Sequence, residues 1–405
     1  MNNPRLPDKF CILPWIHMHV WPDGRAFPCC LATMDSVLGS TKHHSVEQLW
    51  NSDTMRQARQ QMLKGDAVSW CSNCYTQEKS GAESLRITKN RDFAHLLDRR
   101  KLTNDNGSLD EIYMGYMDIR FSNLCNMKCR MCGPHLSSQW YRDSVALGMT
   151  SEDSPLVTDI KNNSIDDFNH LINTWLPTVE EIYWAGGEPL IIDEHYQILE
   201  QLIQSGRTDV RLLYNTNFSK LGYRGKNVID LWEKFSFVNI GASLDAEHHR
   251  AEYMRHGTNW NLIIKNRIEM QQRIPHHDFW ISSTVTALNA SHIIDFFESW
   301  VSQGLVEPTH LDINVVFNPN CMQPQILPID IKRRIQDRVA DFLNKYHIDA
   351  NTRTAKALTG FANRLNEDLS HFQHEFYNHM IKLDKLRNES LFTVFPELDF
   401  LKKFE

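Results

Sequence analysis

Three thiols stand close together at Cys125, Cys129 and Cys132, directly after a strand-like run that ends at Phe121. A C-x3-C-x2-C loop can hold three irons of a [4Fe–4S] cluster and leave the fourth iron without a protein ligand. An open iron is where a small molecule can coordinate and receive an electron. The same thiols with a remote fourth ligand would instead make a zinc knuckle. A second group lies in the N-terminal stretch: Cys11, then Cys29 beside Cys30, then the pair Cys71 and Cys74. Four thiolates from a ribbon and a C-x2-C knuckle suit either a second [4Fe–4S] cluster or a zinc site. The remaining cysteine, Cys321, is far from both groups in sequence.

The whole chain limits the setting of this chemistry. Its 405 residues suffice for two or three domains, one of them with a large core. A net charge of -7 leaves no basic footprint for a nucleic-acid backbone, and no nucleic-acid partner is expected. No run of about 18 apolar residues could span a bilayer. The opening residues lack the apolar stretch of a secretion signal. Cysteines bunched in this way point to metal ligation in a reducing cytoplasm, which is the expected location.

The elements that must position the thiols follow from hydrophobic period and turn residues. An alternating segment through Val20, the turn Pro22-Asp23-Gly24 and the return from Arg25 to Pro28 predict a two-strand ribbon that delivers Cys29 and Cys30. His17 and His19 share one face of this ribbon, with no third metal ligand identifiable, and are expected on a half-buried strand face. Ser45 caps a short helix with Leu49 and Trp50. Ser52 or Asp53 starts another with Met55, Ala58 and Met62 on one face, and Gly65 stops it. A charged helical linker covers 81–110, ending in the loop Asn104-Asp105-Asn106-Gly107-Ser108.

From 111 to 328 the pattern alternates. Strands are expected at 116–121, 181–185, 210–215, 237–243, 279–286 and 311–317, with helices at 165–176, 194–204, 228–234, 260–272 and 290–302. Such repeats argue for parallel strands with crossover helices, in an open or closed α/β barrel. Beyond it, 329–405 reads as amphipathic helices, with Ile335, Val339 and Phe342 followed by Leu358, Phe361, Leu365 and Phe376 at helical spacing. His248-His249 and His276-His277 read as solvated helix edges.

In this context the three-cysteine loop resembles that of the radical S-adenosylmethionine (SAM) superfamily, whose partial (β/α)6 barrel fits the alternation strand for strand. Gly186-Gly187-Glu188-Pro189 after the second strand resembles the family's GGEP motif, which binds the amino group of SAM. Asn215-Thr216-Asn217 is similar to the family's Thr-Asn-Gly turn, with Phe218 in place of the usual glycine; the resemblance puts Asn217 at the cofactor. Ser243-Leu244-Asp245 and Arg255-His256-Gly257 resemble a stretch of the SPASM/twitch subgroup. The resemblance implies that Ser243 and Arg255 lie near the SAM carboxylate and ribose. Asp245 then orients substrate or ribose, or else caps a helix. Val285 and Thr286 sit where the family packs adenine, and Met131, in place of a frequent aromatic residue, covers the adenine side.

Over residues 10 to 75, Gly24-x4-Cys29 preceded by Cys11 resembles the twitch/SPASM auxiliary-cluster module. That spacing selects Cys29 over Cys30 as ligand with Cys11, Cys71 and Cys74, and four thiols suit twitch, with one auxiliary cluster, more than SPASM. The module departs from the family in standing before the barrel. The implied architecture is α/β: a small α+β twitch-like domain over 1–80, the linker over 81–110, a partial (β/α)6 barrel over 111–328 and a helical segment over 329–405. The implied activity is reductive cleavage of SAM at the [4Fe–4S] cluster on Cys125, Cys129 and Cys132, with the resulting 5′-deoxyadenosyl radical abstracting hydrogen from substrate.

The resemblance further implies a flavodoxin- or ferredoxin-type electron donor, a second [4Fe–4S] cluster, and oxidative modification or cross-linking of a peptide or protein side chain. Dehydrogenation or epimerisation of a small metabolite is the alternative within the family. A non-catalytic iron–sulfur or zinc protein, acting in electron transfer or as a scaffold, is the alternative from another class. Cys321, after the sixth strand, is either a small packed residue or a thiol that returns a hydrogen atom to a substrate radical, as in some epimerases of the superfamily.

Overall fold

The computed structural model describes residues 6–79 and 83–405, with residue 119 described by its backbone alone. The expected signal-free start at residues 1–5 and the expected boundary between 80 and 81 lie outside the described residues.

Six strands form one sheet: β1 (Tyr116–Ile119), β2 (Glu181–Trp184), β3 (Arg211–Thr216), β4 (Val238–Ala242), β5 (Asp278–Val285) and β6 (Leu311–Val315). They lie side by side in chain order, and every pairing is parallel. A parallel neighbour can be reached only by a crossover, and helices supply it: α1 (Phe168–Trp175), α2 (Asp193–Gln204), α3 (Val228–Trp232), α4 (Trp260–Arg273) and α5 (Ile293–Ser302). The expected strands are all present, because apolar runs bounded by polar turns left no competing period. A short helix over His248–Met254 follows β4, with His248 and His249 exposed at its start as expected of a helix edge.

Along β5 the side chains of Phe279, Ile281, Ser283 and Val285 are buried, whereas Trp280, Ser282 and Thr284 are half exposed. In β3, Leu212, Tyr214 and Thr216 are buried while Asn215 is exposed. One face of the sheet therefore packs on the crossover helices, and along β3 and β5 the other stays open, whereas beside β1 and β2 that second face is partly covered, with Tyr116, Asp118 and Glu181 buried. Parallel sheets are usually covered on both faces, so the open face has a use other than packing.

Unpaired strand edges invite association and are normally covered. The β6 edge is covered from the C-terminal part, which comprises α6 (Ile329–Lys345), α7 (Arg353–Arg364) and α8 (Gln373–Arg387). Thr354 of α7 donates its hydroxyl to Leu311 O at 2.8 Å and accepts from Leu311 N at 3.2 Å. Beside β1 lies the N-terminal unit. Its ribbon pairs His19–Val20 with Arg25–Phe27 around Gly24, whose φ of 87° is the left-handed turn conformation. A third strand, Gly39–Ser40, extends the ribbon and was not legible in the sequence. Leu13–Ile16 forms a helical turn. The Ser45 cap, the Ser52 cap and the Gly65 stop form as expected, and Gln48 completes a capping box with Ser45.

The two histidines differ from expectation. His17 and His19 are fully buried, not half buried. His17 Nδ1 donates to Tyr116 O at 3.0 Å, and His19 Nδ1 lies 3.2 Å from Asp118 Oδ2. The carboxylate that the ribbon lacked in sequence comes from β1, more than ninety residues on.

The expected linker is also more than a connection. Its helix Leu85–Asp92 places Lys89 in the interior, paired with Glu181 of β2 and 4.3 Å from the Tyr116 ring. Arg211 of β3 lies 2.7 Å from the second Glu181 oxygen. Among the described residues no helix is long and apolar enough to cross a membrane.

Removing one member of a buried pair leaves an uncompensated charge, at a cost of roughly 3–5 kcal/mol. Glu181→Leu should therefore lower the thermal unfolding midpoint of the holoprotein by several degrees, and Lys89→Met added to it should recover most of the loss. An unchanged midpoint in the single variant would mean that Lys89 finds water or another partner.

Candidate functional site

The three-cysteine loop is held by partners distant in sequence. Lys128–Cys129 forms a two-residue antiparallel ladder with Arg255–His256, in the register Arg255↔Cys129. This brings Arg255 Nη1 to 3.6 Å from Cys129 Sγ. The Cys132 thiol donates to Cys129, and with Arg255 beside it lowers the proton affinity of Cys129 although burial opposes this. Burial pushes Cys125 up to about 12. Met131 is half buried against Cys125, Met127 and Cys129.

The motifs picked from the sequence meet at this loop. Glu188 N donates to Leu124 O at 2.8 Å, and a Cβ on Gly187 would stand 2.0 Å from the same carbonyl oxygen, so only glycine fits there. Glu188 is buried, which raises its carboxyl to about 7 despite three donors: Thr216 Oγ1 at 2.6 Å, Asn217 N at 2.7 Å and Leu190 N at 3.1 Å. Pro189 starts the 3-10 turn that follows. Asn217 Nδ2 donates to Asn126 Oδ1 at 2.9 Å, tying the end of β3 to the cysteine loop. The next residue, Phe218, is buried with φ 57°, so it takes the left-handed conformation for which a glycine would be suited.

Asp245 does not cap a helix; the residue before His248–Met254 is Glu247. Its two oxygens accept from Arg255 Nε at 2.7 Å, Arg255 Nη2 at 3.1 Å and Thr284 N at 2.8 Å. Asp245 thus orients Arg255. Ser243, half buried, follows β4 with its N–H donated to Thr216 O at 2.8 Å, and Val285 is buried at the end of β5.

In the N-terminal unit Cys11, Cys29, Cys71 and Cys74 line one hollow, together with Leu13, Trp70 and Arg86. Burial, then the neighbouring thiols, raise Cys11 and Cys29, and the same causes push Cys71 up to about 12. Cys11, Cys71 and Cys74 are buried and Cys29 is half buried; four thiols crowded around one hollow ionise together only around a positive centre, so the donor set fits an iron–sulfur cluster. Cys30 points elsewhere: its thiol faces the Asp118 carboxylate and the Arg120 guanidinium. Residues 11–75 match the SPASM family, an iron–sulfur cluster-binding domain. The expectation of an auxiliary iron–sulfur module over residues 10 to 75 is upheld, with Cys29 and not Cys30 turned into the hollow of the SPASM-like segment.

No curated protein matches the chain. Among solved structures, it is similar to native anSMEcpe with bound AdoMet and Cp18Cys peptide (14% identity, 57% of this chain and 61% of that one, TM-score 0.37). A histidine-tagged form of anSMEcpe with bound AdoMet is similar at 14% identity, over 57% and 59% of the two chains, with TM-score 0.39. Native anSMEcpe with bound AdoMet is similar at 15% identity, over 57% and 61%, also with TM-score 0.39. The match thus spans about three-fifths of the length of those structures.

Cys321 is buried in the short turn Asn320–Met322, and its thiol faces Glu375 of α8. Sequence reasoning missed how α8 and the residues after it hold the three-cysteine loop. Arg130 is fully buried; its Nη2 donates to Asp384 Oδ1 and to Glu389 Oε2, each at 2.5 Å, and its guanidinium lies 3.6 Å from the Tyr253 ring centre. Arg387 and Lys128 both reach Asp143, at 2.7 and 3.0 Å, and Trp140 Nε1 donates to Cys129 O at 2.8 Å. A sign could have been read in Arg130 alone, a charge inside a loop that must be buried.

Asp384→Ala leaves Arg130 with one counter-charge. The backbone amides of residues 128–131 are then expected to exchange with deuterium several-fold faster, while those of 211–216 keep their rates. Uniform acceleration in both stretches would show general destabilisation instead of a released loop.

Proposed function

We propose that this chain is a radical SAM enzyme with an N-terminal SPASM-like auxiliary cluster. The observation that carries the reading is the convergence of three separate stretches on one loop: Gly187 and Glu188 against Leu124, Asn217 on Asn126, and Arg255 on Cys129. A bare electron-transfer or zinc scaffold has no need of that convergence.

In this reading Cys125, Cys129 and Cys132 hold a [4Fe–4S] cluster, and Cys11, Cys29, Cys71 and Cys74 hold another. When bound, the first cluster supplies the electron that cleaves SAM to methionine and a 5′-deoxyadenosyl radical, which takes hydrogen from the substrate. Arg255, oriented by Asp245, keeps a positive charge against the sulfurs and favours their ionised form. Glu188, with its burial and high proton affinity, is suited to accept from an ammonium group of SAM, and once so paired it stays ionised. Gly186 and Gly187 permit close approach of the backbone, Pro189 fixes the turn, and Asn217 and Ser243 belong to the same rim. Val285 and Met131 supply apolar contact for the adenine.

The sheet is read as a partial (β/α)6 barrel over 111–328. The substrate class favoured is a peptide or protein side chain, oxidised or cross-linked, with dehydrogenation or epimerisation of a small metabolite as the alternative. A flavodoxin- or ferredoxin-type donor in the cytoplasm completes the scheme. Cys321 keeps a lesser part here, since Glu375 and α8 stand over its thiol.

Anaerobically reconstituted protein with dithionite and SAM should release 5′-deoxyadenosine. The variant with Cys125, Cys129 and Cys132 all replaced by alanine should lose about half of its roughly eight irons and all cleavage. Cleavage that persists in this variant would overturn the assignment.

Cys71→Ala or Cys74→Ala should lower iron by a similar share while SAM cleavage stays measurable and product turnover is lost. Zinc in place of iron in anaerobically purified protein would leave the SPASM-like segment a structural role only.

A further inference from the structure

The open face of the sheet carries a polar group that no motif accounts for. Arg120 stands one residue beyond β1, where a Cβ on Gly186 would come within 3.4 Å of its Cα. It therefore lies beside the Gly186-Gly187 turn. Its Nε is 3.3 Å from Asp118 Oδ1, and Asp118 in turn is fixed by His19 at 3.2 Å. Among the described residues no hydrogen bond engages the two terminal nitrogens of Arg120, although the Cys30 thiol lies near the guanidinium, and its side chain is 21% exposed.

Beside it, in the register Asp118↔Tyr183, stands Tyr183 of β2. The Tyr183 oxygen accepts from Asn215 Nδ2 at 2.5 Å, which leaves its own proton free to donate. Asn215 lies over Gly241 on the same face, since a Cβ there would be 2.8 Å from Asn215 Oδ1. Arg120 and Tyr183 are thus prearranged donors, two from the guanidinium fork and one from the phenol, with no acceptor of their own.

A guanidinium held at Nε presents its outer edge in the geometry that suits a planar, two-oxygen acceptor. The local charge limits which acceptor. Asp118 balances Arg120, and Arg353, the other cation near Tyr183, is paired with Asp312. A site near neutrality favours a singly charged carboxylate over a phosphate dianion. We infer that Arg120 and Tyr183 bind a carboxylate of the substrate on the open face, beside the Gly186-Gly187 turn. Asp118 and His19 are positioning residues for Arg120, and through them the SPASM-like segment sets the geometry of substrate recognition. The inference rests on the proposed function for the identity of the open face as the substrate face.

The test uses the reconstituted full chain with SAM and three blocked tripeptides. One carries a glutamate side chain with a C-terminal amide, one only glycines with a free C-terminal carboxylate, and one a glutamine with a C-terminal amide. Equilibrium dialysis should show one of the two carboxylate peptides binding roughly tenfold or more tightly than the glutamine peptide. Which of the two does so identifies the side chain or the C-terminus as the source.

Arg120→Gln should abolish the preference, Arg120→Lys should keep only part of it, and Tyr183→Phe should reduce it several-fold. Exposed Arg334→Gln should leave it intact. Equal or absent binding of all three peptides by the wild type overturns the inference, as does a full preference in Arg120→Gln. If Arg120→Gln does not fold, full preference in both Arg120→Lys and Tyr183→Phe overturns it. SAM cleavage by the wild type, measured in the same sample, keeps the two readings apart. Cleavage without carboxylate preference sinks this inference alone, and preference without cleavage sinks the radical SAM reading alone.

Discussion

Arg130 is the charge on which the three-cysteine loop depends. A loop with three thiols near its tip has little apolar surface of its own with which to order itself, and thiols that repel on ionisation oppose its closure. Its order comes from outside: a fully buried guanidinium between Asp384 and Glu389, stacked on Tyr253, and a short ladder with Arg255–His256. Taking that guanidinium from water is costly, and two carboxylates with an aromatic face offset the cost. The same ladder sets Arg255 against Cys129, so the support of the loop and its electrostatics are one arrangement.

The sheet obeys a second constraint. Six parallel strands in chain order leave two edges, and each is covered by a flanking part of the chain: α7 through Thr354 at β6, the ribbon through His17 and His19 at β1. The crossover helices bury only one face. What remains is an open face bordered on one side by the SPASM-like segment and at its rim by the Gly186-Gly187 turn. The N-terminal unit, though it precedes the sheet in sequence, is built into that border: Asp118 is shared between His19 and Arg120.

The adjacent thiols Cys29 and Cys30 show how finely the border is divided. One looks into the hollow with Cys11, Cys71 and Cys74; the other faces Asp118 and Arg120. Both follow the ribbon strand Arg25–Phe27, Cys29 in a bend and Cys30 in the turn after it, so a single step along the backbone separates a thiol of the hollow from one that faces the open side of the sheet.

Much of this was written in local sequence. Period, caps and turns determined the strands and helices, because each is decided by neighbours within a few residues; Ser45 with Gln48 and the Gly65 stop are examples. The cysteine spacings and the glycines of 186–187 were legible because metal ligation and close backbone approach tolerate few residue types. Long-range partners were not. Asp118 for His19, Glu181 for Lys89, Arg255 for Cys129 and Asp384 for Arg130 are separated by tens to hundreds of residues. A buried charge announces that it needs a partner but not which one, since many carboxylates in the chain could serve. Only the packing of the N-terminal unit, the sheet and α8 around one another decided among them, and with them the geometry of the site.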